Sequence, residues 1–193
     1  MFSYPNFKPQ KGNLTIKIIN EYIKYRINNN TLKNDSFNNK KIINLVASND
    51  INDELYFWQL YSILGKNNIH KIIETFYIKI FNNKENNWFS NEFIESGNIN
   101  YHINMQKNFW LDIMGGGINY NNELLLNRKH YLVKNIMTEE GANIWIKLML
   151  ETLNELNINK MEDKRIIICL EEFLNFFMIK YSKEFNFYYN SKL

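Results

Sequence analysis

In NIHKIIETFYIKIF, residues 68–81, apolar side chains fall at positions 69, 72, 73, 76 and 80. Steps of three and four put them on one face of a helix; a strand would alternate its faces at every residue. The same period runs through LTIKIINEYIKYRI (14–27), DELYFWQLYSILG (53–65) and INYHINMQKNFWLDIM (99–114). It returns in TEEGANIWIKLMLETLNEL (138–156) and EDKRIIICLEEFLNFFMIKYSKEF (162–185). No convincing strand pair competes with these segments, so the sequence predicts an all-α chain of five to seven helices. Gly65 is placed to cap the helix of 53–65. Thr138, followed by Glu139 and Glu140, is placed to open the helix of 138–156, where the dipole favours acids. Residues 28–50 read as an Asn-rich linker and 82–98 as irregular, with Trp88, Phe89 and Phe93 embedded. Residues 115–135 read as a loop with at most one short helix.

The abrupt break in this pattern is Gly115, Gly116 and Gly117, three of only seven glycines in 193 residues. Glycine permits positive φ and close backbone approach, which suits a sharp stop after the helix of 99–114. At 45% hydrophobic and 16% aromatic the chain can bury a core, and two prolines are few. One cysteine, Cys169, allows no internal disulfide and favours a reducing, cytoplasmic setting. No run of about 18 apolar residues offers a membrane span, and MFSYPNFKPQKGNL lacks the apolar centre of a secretion leader. The 35 asparagines reflect base composition more than function and carry little weight. Residues 1–42 hold eight Lys or Arg and two acids, a net charge of +6. Such an arm can meet nucleic acid or an anionic membrane. With a single arginine, Arg26, and no motif, a solvated extension is the better expectation. Glu21 and that lone arginine also weigh against organelle targeting.

There are three histidines, His70, His102 and His130. No Cys/His set has zinc spacing. The glycine triplet lacks the Lys-Ser/Thr of a phosphate loop, and no motif supports a Ser/His/Asp or Cys/His nucleophile. His102, Gln106, Phe109 and Ile113 are spaced four, three and four, so an imidazole and an amide share a face with apolar residues. Either both reach water at a helix edge, the commoner case, or they point into a cavity and need partners there. Tyr77, beside Phe76, is either a core tyrosine with a surface hydroxyl or a phenol donor aimed inward. His130 follows Arg128 and Lys129 in a polar loop. It is either solvated or a metal ligand through one neutral ring nitrogen.

Five stretches in order resemble the truncated globins, short haem proteins built as a two-over-two helical sandwich. YSILGK resembles the end of their first core helix. ETFYIKIF resembles the next helix with its Phe-Tyr pair. MQKNFWLDIMGGG resembles the distal helix and the turn after it. NRKH resembles the basic residue and proximal histidine, and ANIWIKLM the following helix, whose Trp-x-x-x-Met is common in the second group of the family. The resemblance spans about residues 52–185, leaving 1–51 as a basic extension with one helix and 186–193 as a tail. Leu64-Gly65 keeps one of two usual glycines, Gly117 stands where proline is usual, and His130 to Trp145 is two residues long.

The resemblance implies a globin-like fold and haem b bound through iron. His130 would be the proximal ligand. His102 would lie distal, near enough in register to ligate iron as a second histidine. Tyr77 and Gln106 would donate to a bound diatomic (O2, NO or CO), Lys129 would meet a haem propionate, and Trp145 would lie against the haem. Phe76, Phe109 and Met114 would pack the pocket. Sensing, storage, NO dioxygenation and peroxidase-like chemistry are all open on this basis, the redox roles with a reductase. The alternative is a haemless globin-like subunit serving interactions; a nucleic-acid role for the arm is a weaker third, and no DNA partner is expected.

Overall fold

A computed structural model describes Leu55, residues 57–95, 98–115 and 135–190, together with Glu21, Lys24, Tyr25 and Asn28. Among the described residues there are five α-helices and no strand. They are α1 (Leu60–Phe81), α2 (Asn87–Glu95), α3 (Ile99–Ile113), α4 (Glu139–Glu155) and α5 (Arg165–Phe185). Short 3-10 turns stand at Phe57–Gln59 and Ile158–Lys160.

The apolar stripe of α1 runs Leu60, Leu64, Ile69, Ile72, Ile73, Phe76, Tyr77 and Ile80, all buried. Between Leu64 and Ile69 it steps by five residues, which an unbroken helix would turn off the core. Gly65 absorbs the slip with φ 71° and ψ 165°, a conformation almost confined to glycine. Across the break the Asn68 side-chain amide donates to the Leu64 carbonyl at 2.7 Å. Gly65 therefore joins two helices end to end, where the sequence suggested a cap.

The stretch 82–98, which looked irregular, contains α2. Its period is short and half hidden by asparagine. Only Phe89, Ser90 and Phe93 are buried, a face one turn long. The Ser90 hydroxyl settles the position: it faces the Ile80 carbonyl at 2.6 Å and the Asn83 carbonyl at 3.0 Å. Those carbonyls lie at and just beyond the end of α1, where helical partners run out.

Asn98 caps α3, its side chain accepting from the Tyr101 backbone N–H at 3.0 Å. Thr138 caps α4 as expected, accepting from the Gly141 N–H at 3.1 Å. Asn157 and Asn186, both left-handed, turn the chain after α4 and α5. α1 is central. It packs against α3, α4 and α2, while α4 and α5 pair with each other. The Lys79–Glu155 ion pair at 2.6 Å ties the end of α1 to the end of α4. One core runs through all five helices, and Cys169 is buried in it. No helix among the described residues is long and apolar enough to cross a membrane.

Candidate functional site

α1, α2, α3 and α4 each send an aromatic or polar ring to one place. Tyr77 is 3% exposed. Its ring meets the His102 imidazole edge-on, centroids 4.9 Å apart at 69°. Phe93 of α2 closes the group, 6.1 Å from Tyr77 and 5.8 Å from His102, again edge-on. Behind Tyr77 stands Phe76 at 5.0 Å. Phe76 meets Trp145 of α4 at 5.0 Å, and Trp145 stacks on Trp110 of α3 at 6.5 Å and 18°. Edge-to-face and offset contacts of this kind hold aromatic rings in fixed orientations.

His102 is half-buried and its Nε2 is shielded from solvent. The imidazole therefore lies against rings, at the margin of the helix but turned inward. Gln106, one turn on, is also half-buried. Phe109 is half-buried and turns toward α5, 6.2 Å from Phe177. Ile113 is fully buried. The face His102–Gln106–Phe109–Ile113 thus starts at the rim of the domain and ends in its core.

The far end of α3 is held firmly. Tyr61 donates its backbone N–H to the Met114 carbonyl at 3.0 Å, fastening the end of α3 to the start of α1. Gly115 follows at φ 97° and donates to the Asp112 carbonyl at 3.0 Å. The first glycine of the triplet thus makes the sharp stop read from the sequence. Asp112, in the last turn of α3, is 1% exposed, and burial pushes its carboxyl up to about 6. Gly116, Gly117, Arg128, Lys129 and His130 lie outside the described residues, so the proximal half of the expected site has no geometry here.

His70, the third histidine, sits in α1 away from these rings. Burial, then Lys107 and Lys66, lower its pKa, and Lys107 itself pairs with Glu74 at 3.0 Å. An open groove of about 620 Å³ lies between the α1–α2 connection and α4, lined by residues such as Glu85, Glu140, Asn143 and Lys147. None of the residues around Tyr77 lines it.

Sequence reasoning singled out Tyr77, His102, Phe76 and Trp145, and the fold brings these four into one chain of ring contacts. It did not find Phe93 or Trp110 as neighbours of these rings, nor the buried Asp112 further along α3. Phe93 carried a signal, its i, i+4 spacing from Phe89. Trp110 was hidden next to Phe109, because either could have been the inward ring.

A profile described as bacterial-like globin matches residues 59–178. The chain belongs to the bacterial-like globin family. No curated protein matches it, and no solved structure does. The matched span runs from the turn before α1 into α5, so Tyr77, Phe93, His102, Gln106 and Trp145 all fall within it.

Proposed function

We propose that this globin binds haem b and holds a diatomic ligand beside Tyr77, His102 and Gln106, in the manner of the second group of truncated globins. The observation that carries the reading is the Tyr77–His102 contact inside a wall of Phe76, Phe93 and Trp145. A phenol and an imidazole, one from each of two facing helices, are enclosed by flat apolar side chains. That donor set suits a planar apolar cofactor whose ligand carries partial negative charge. Family membership supplies the prior for haem.

When bound, haem iron supplies the open coordination position that takes a diatomic. His130 is assigned as its proximal ligand and Lys129 as the cation for a propionate. The rest is done by the chain's own groups. The Tyr77 hydroxyl and Gln106 amide would hold such a ligand by donating hydrogen bonds to its negative end. In a low-dielectric site such preset donors are strong and need no reorganisation. The wall of rings excludes water. His102, standing against Tyr77, orients the phenol, and its imidazole would be the group to meet the iron as a second histidine. Slow ligand release under two donors suits trapping, sensing or NO/O2 redox conversion better than rapid delivery; a redox role would call on a reductase.

Tyr77→Phe removes one hydrogen bond to a charged acceptor, worth about 1.5–3 kcal/mol. Oxygen dissociation, followed by stopped flow, should therefore quicken by about ten- to a hundredfold. An unchanged rate removes Tyr77 from the ligand network. His130→Ala should lose haem on a desalting column; retained haem with an unaltered spectrum would falsify the ligand assignment.

A further inference from the structure

We propose that the helical segment bearing Glu21 and Tyr25 is a strap that docks antiparallel on α5 and braces the Trp145 wall of the candidate pocket. The bracing half rests on the haem-pocket reading above; the docking half does not.

Glu21, Lys24, Tyr25 and Asn28 are helical. Two of them touch α5. The Glu21 carboxylate pairs with Lys180 at 2.5 Å, both side chains about two-thirds buried. The Tyr25 ring meets Phe176 at 5.2 Å. On each helix the two contact residues are four apart, hence on one face. As the number rises from 21 to 25 on one helix it falls from 180 to 176 on the other, so the segments run antiparallel. The ion pair also fixes a register. Glu21 is one of only two acids among the first 42 residues, which carry eight basic side chains. It stands where α5 presents a lysine.

The C-terminal tail joins this contact. Left-handed Asn186 turns the chain, the Phe187 N–H donates back to the Ser182 carbonyl at 3.0 Å, and Tyr189 packs on the core. Burial, then the neighbouring Tyr25, raises the Tyr189 phenol. Glu21, Tyr25, Lys180 and Tyr189 all lie outside the span 59–178 shared with the family. Glu21 and Tyr25, with Lys180 and Tyr189, thus add contacts to the globin body from outside the family span. From those contacts a line of rings runs inward. Phe176 meets Phe173 at 5.9 Å, Phe173 meets Trp110 at 6.1 Å, and Trp110 stacks on Trp145. Close-packed rings have little room to move singly. A docked Tyr25 therefore limits the motion of Phe176, and through it that of the tryptophan pair.

The test uses the full chain and three variants, Glu21→Lys, Lys180→Glu and the double charge swap. Limited chymotrypsin cleavage after Tyr22 and Tyr25 reads docking, with or without haem. Each single reversal should speed cleavage about fivefold, the scale of a partly exposed ion pair, and the swap should restore it. High salt should reduce the difference between the wild type and the single variants. Equal cleavage in all four proteins, or a swap that behaves like the singles, overturns the strap. The brace is read from the near-ultraviolet circular dichroism of the tryptophans in the haem-free chain, and from the rate of haem transfer to an acceptor apoglobin. Weaker tryptophan signal and faster haem loss in the singles, both restored by the swap, support it. Cleavage that changes while the tryptophan signal does not overturns the brace and leaves a strap. A chain that takes up no haem sinks the pocket reading and, with it, the brace as a device of that pocket, while cleavage still decides the strap and dichroism its coupling to the tryptophans.

Discussion

Asp112 holds a carboxyl group where charge is disfavoured. Its folded pKa of about 6 lies above the ordinary 3.8, raised by burial. The folded state therefore binds this proton more readily than the unfolded chain. Its stabilisation is full below the unfolded value and is lost as pH rises through about 6. Above that, a buried carboxylate is a net cost. Asp112→Asn keeps the shape and removes the charge. Each tenfold difference in proton affinity between folded and unfolded chain is worth about 1.4 kcal/mol. The substitution should therefore stabilise the fold at pH 7 by about 2–3 kcal/mol and leave stability at pH 4 nearly unchanged. Urea melts at the two pH values check this; equal effects at both would show that ionisation is not the cause. Nothing in the sequence marked Asp112. A single acid near the end of an amphipathic helix usually faces water, and the burial of Asp112 is a product of tertiary packing that no local pattern shows. Tyr77 and His102 were singled out by their order in the globin-like stretches; spacing alone left a surface position the commoner expectation for each.

Helices were legible wherever their stripe ran three turns or more. α3, α4 and α5 lie within three residues of the expected bounds. α2 was missed because one buried turn, in a stretch crowded with asparagine, gives no sustained period. α1 was read as two helices, which is what Gly65 makes of it. Two glycines illustrate distinct constraints. At Gly65 a Cβ would meet nothing within 4 Å, yet φ is +71°. Gly65→Ala should thus cost about 1–3 kcal/mol through backbone strain alone. At Gly141 a Cβ would fall 1.8 Å from the Ile136 carbonyl oxygen, an impossible distance against backbone. Gly141→Ala must push the start of α4 away from the segment that arrives from His130. Its cost should exceed that of Gly65→Ala, with thermal melting as the measure. If the two variants melt alike, the Ile136–Gly141 approach does not constrain α4. The tight approach also bears on the proposed pocket, since Trp145 sits one turn further along α4.

At the scale of the whole molecule, fold class could be read from helical spacing and two near-absences, of strand pairs and of proline. That Tyr77, His102 and Trp145 belong to one region could be read from their order along the chain, and the fold joins them through Phe76 in one line of ring contacts. The contact of Glu21 and Tyr25 with α5 could not be read from the sequence. Glu21 and Lys180 are 159 residues apart in sequence, and in a basic, Asn-rich arm no local pattern announces a partner. A solvated extension was the reasonable expectation, and Glu21 and Tyr25 depart from it by packing on α5. What unites pocket, helices and ends is the claim that this globin carries haem. The most direct test is the visible spectrum of the purified full chain after haem supplementation, recorded oxidised, dithionite-reduced and with CO. A stoichiometric Soret band that moves on CO binding is the predicted result, and six-coordinate visible bands before CO that are lost in His102→Ala would point to His102 as the sixth ligand. Absence of stoichiometric haem would contradict the account and leave a haemless globin body whose ring-lined site serves packing.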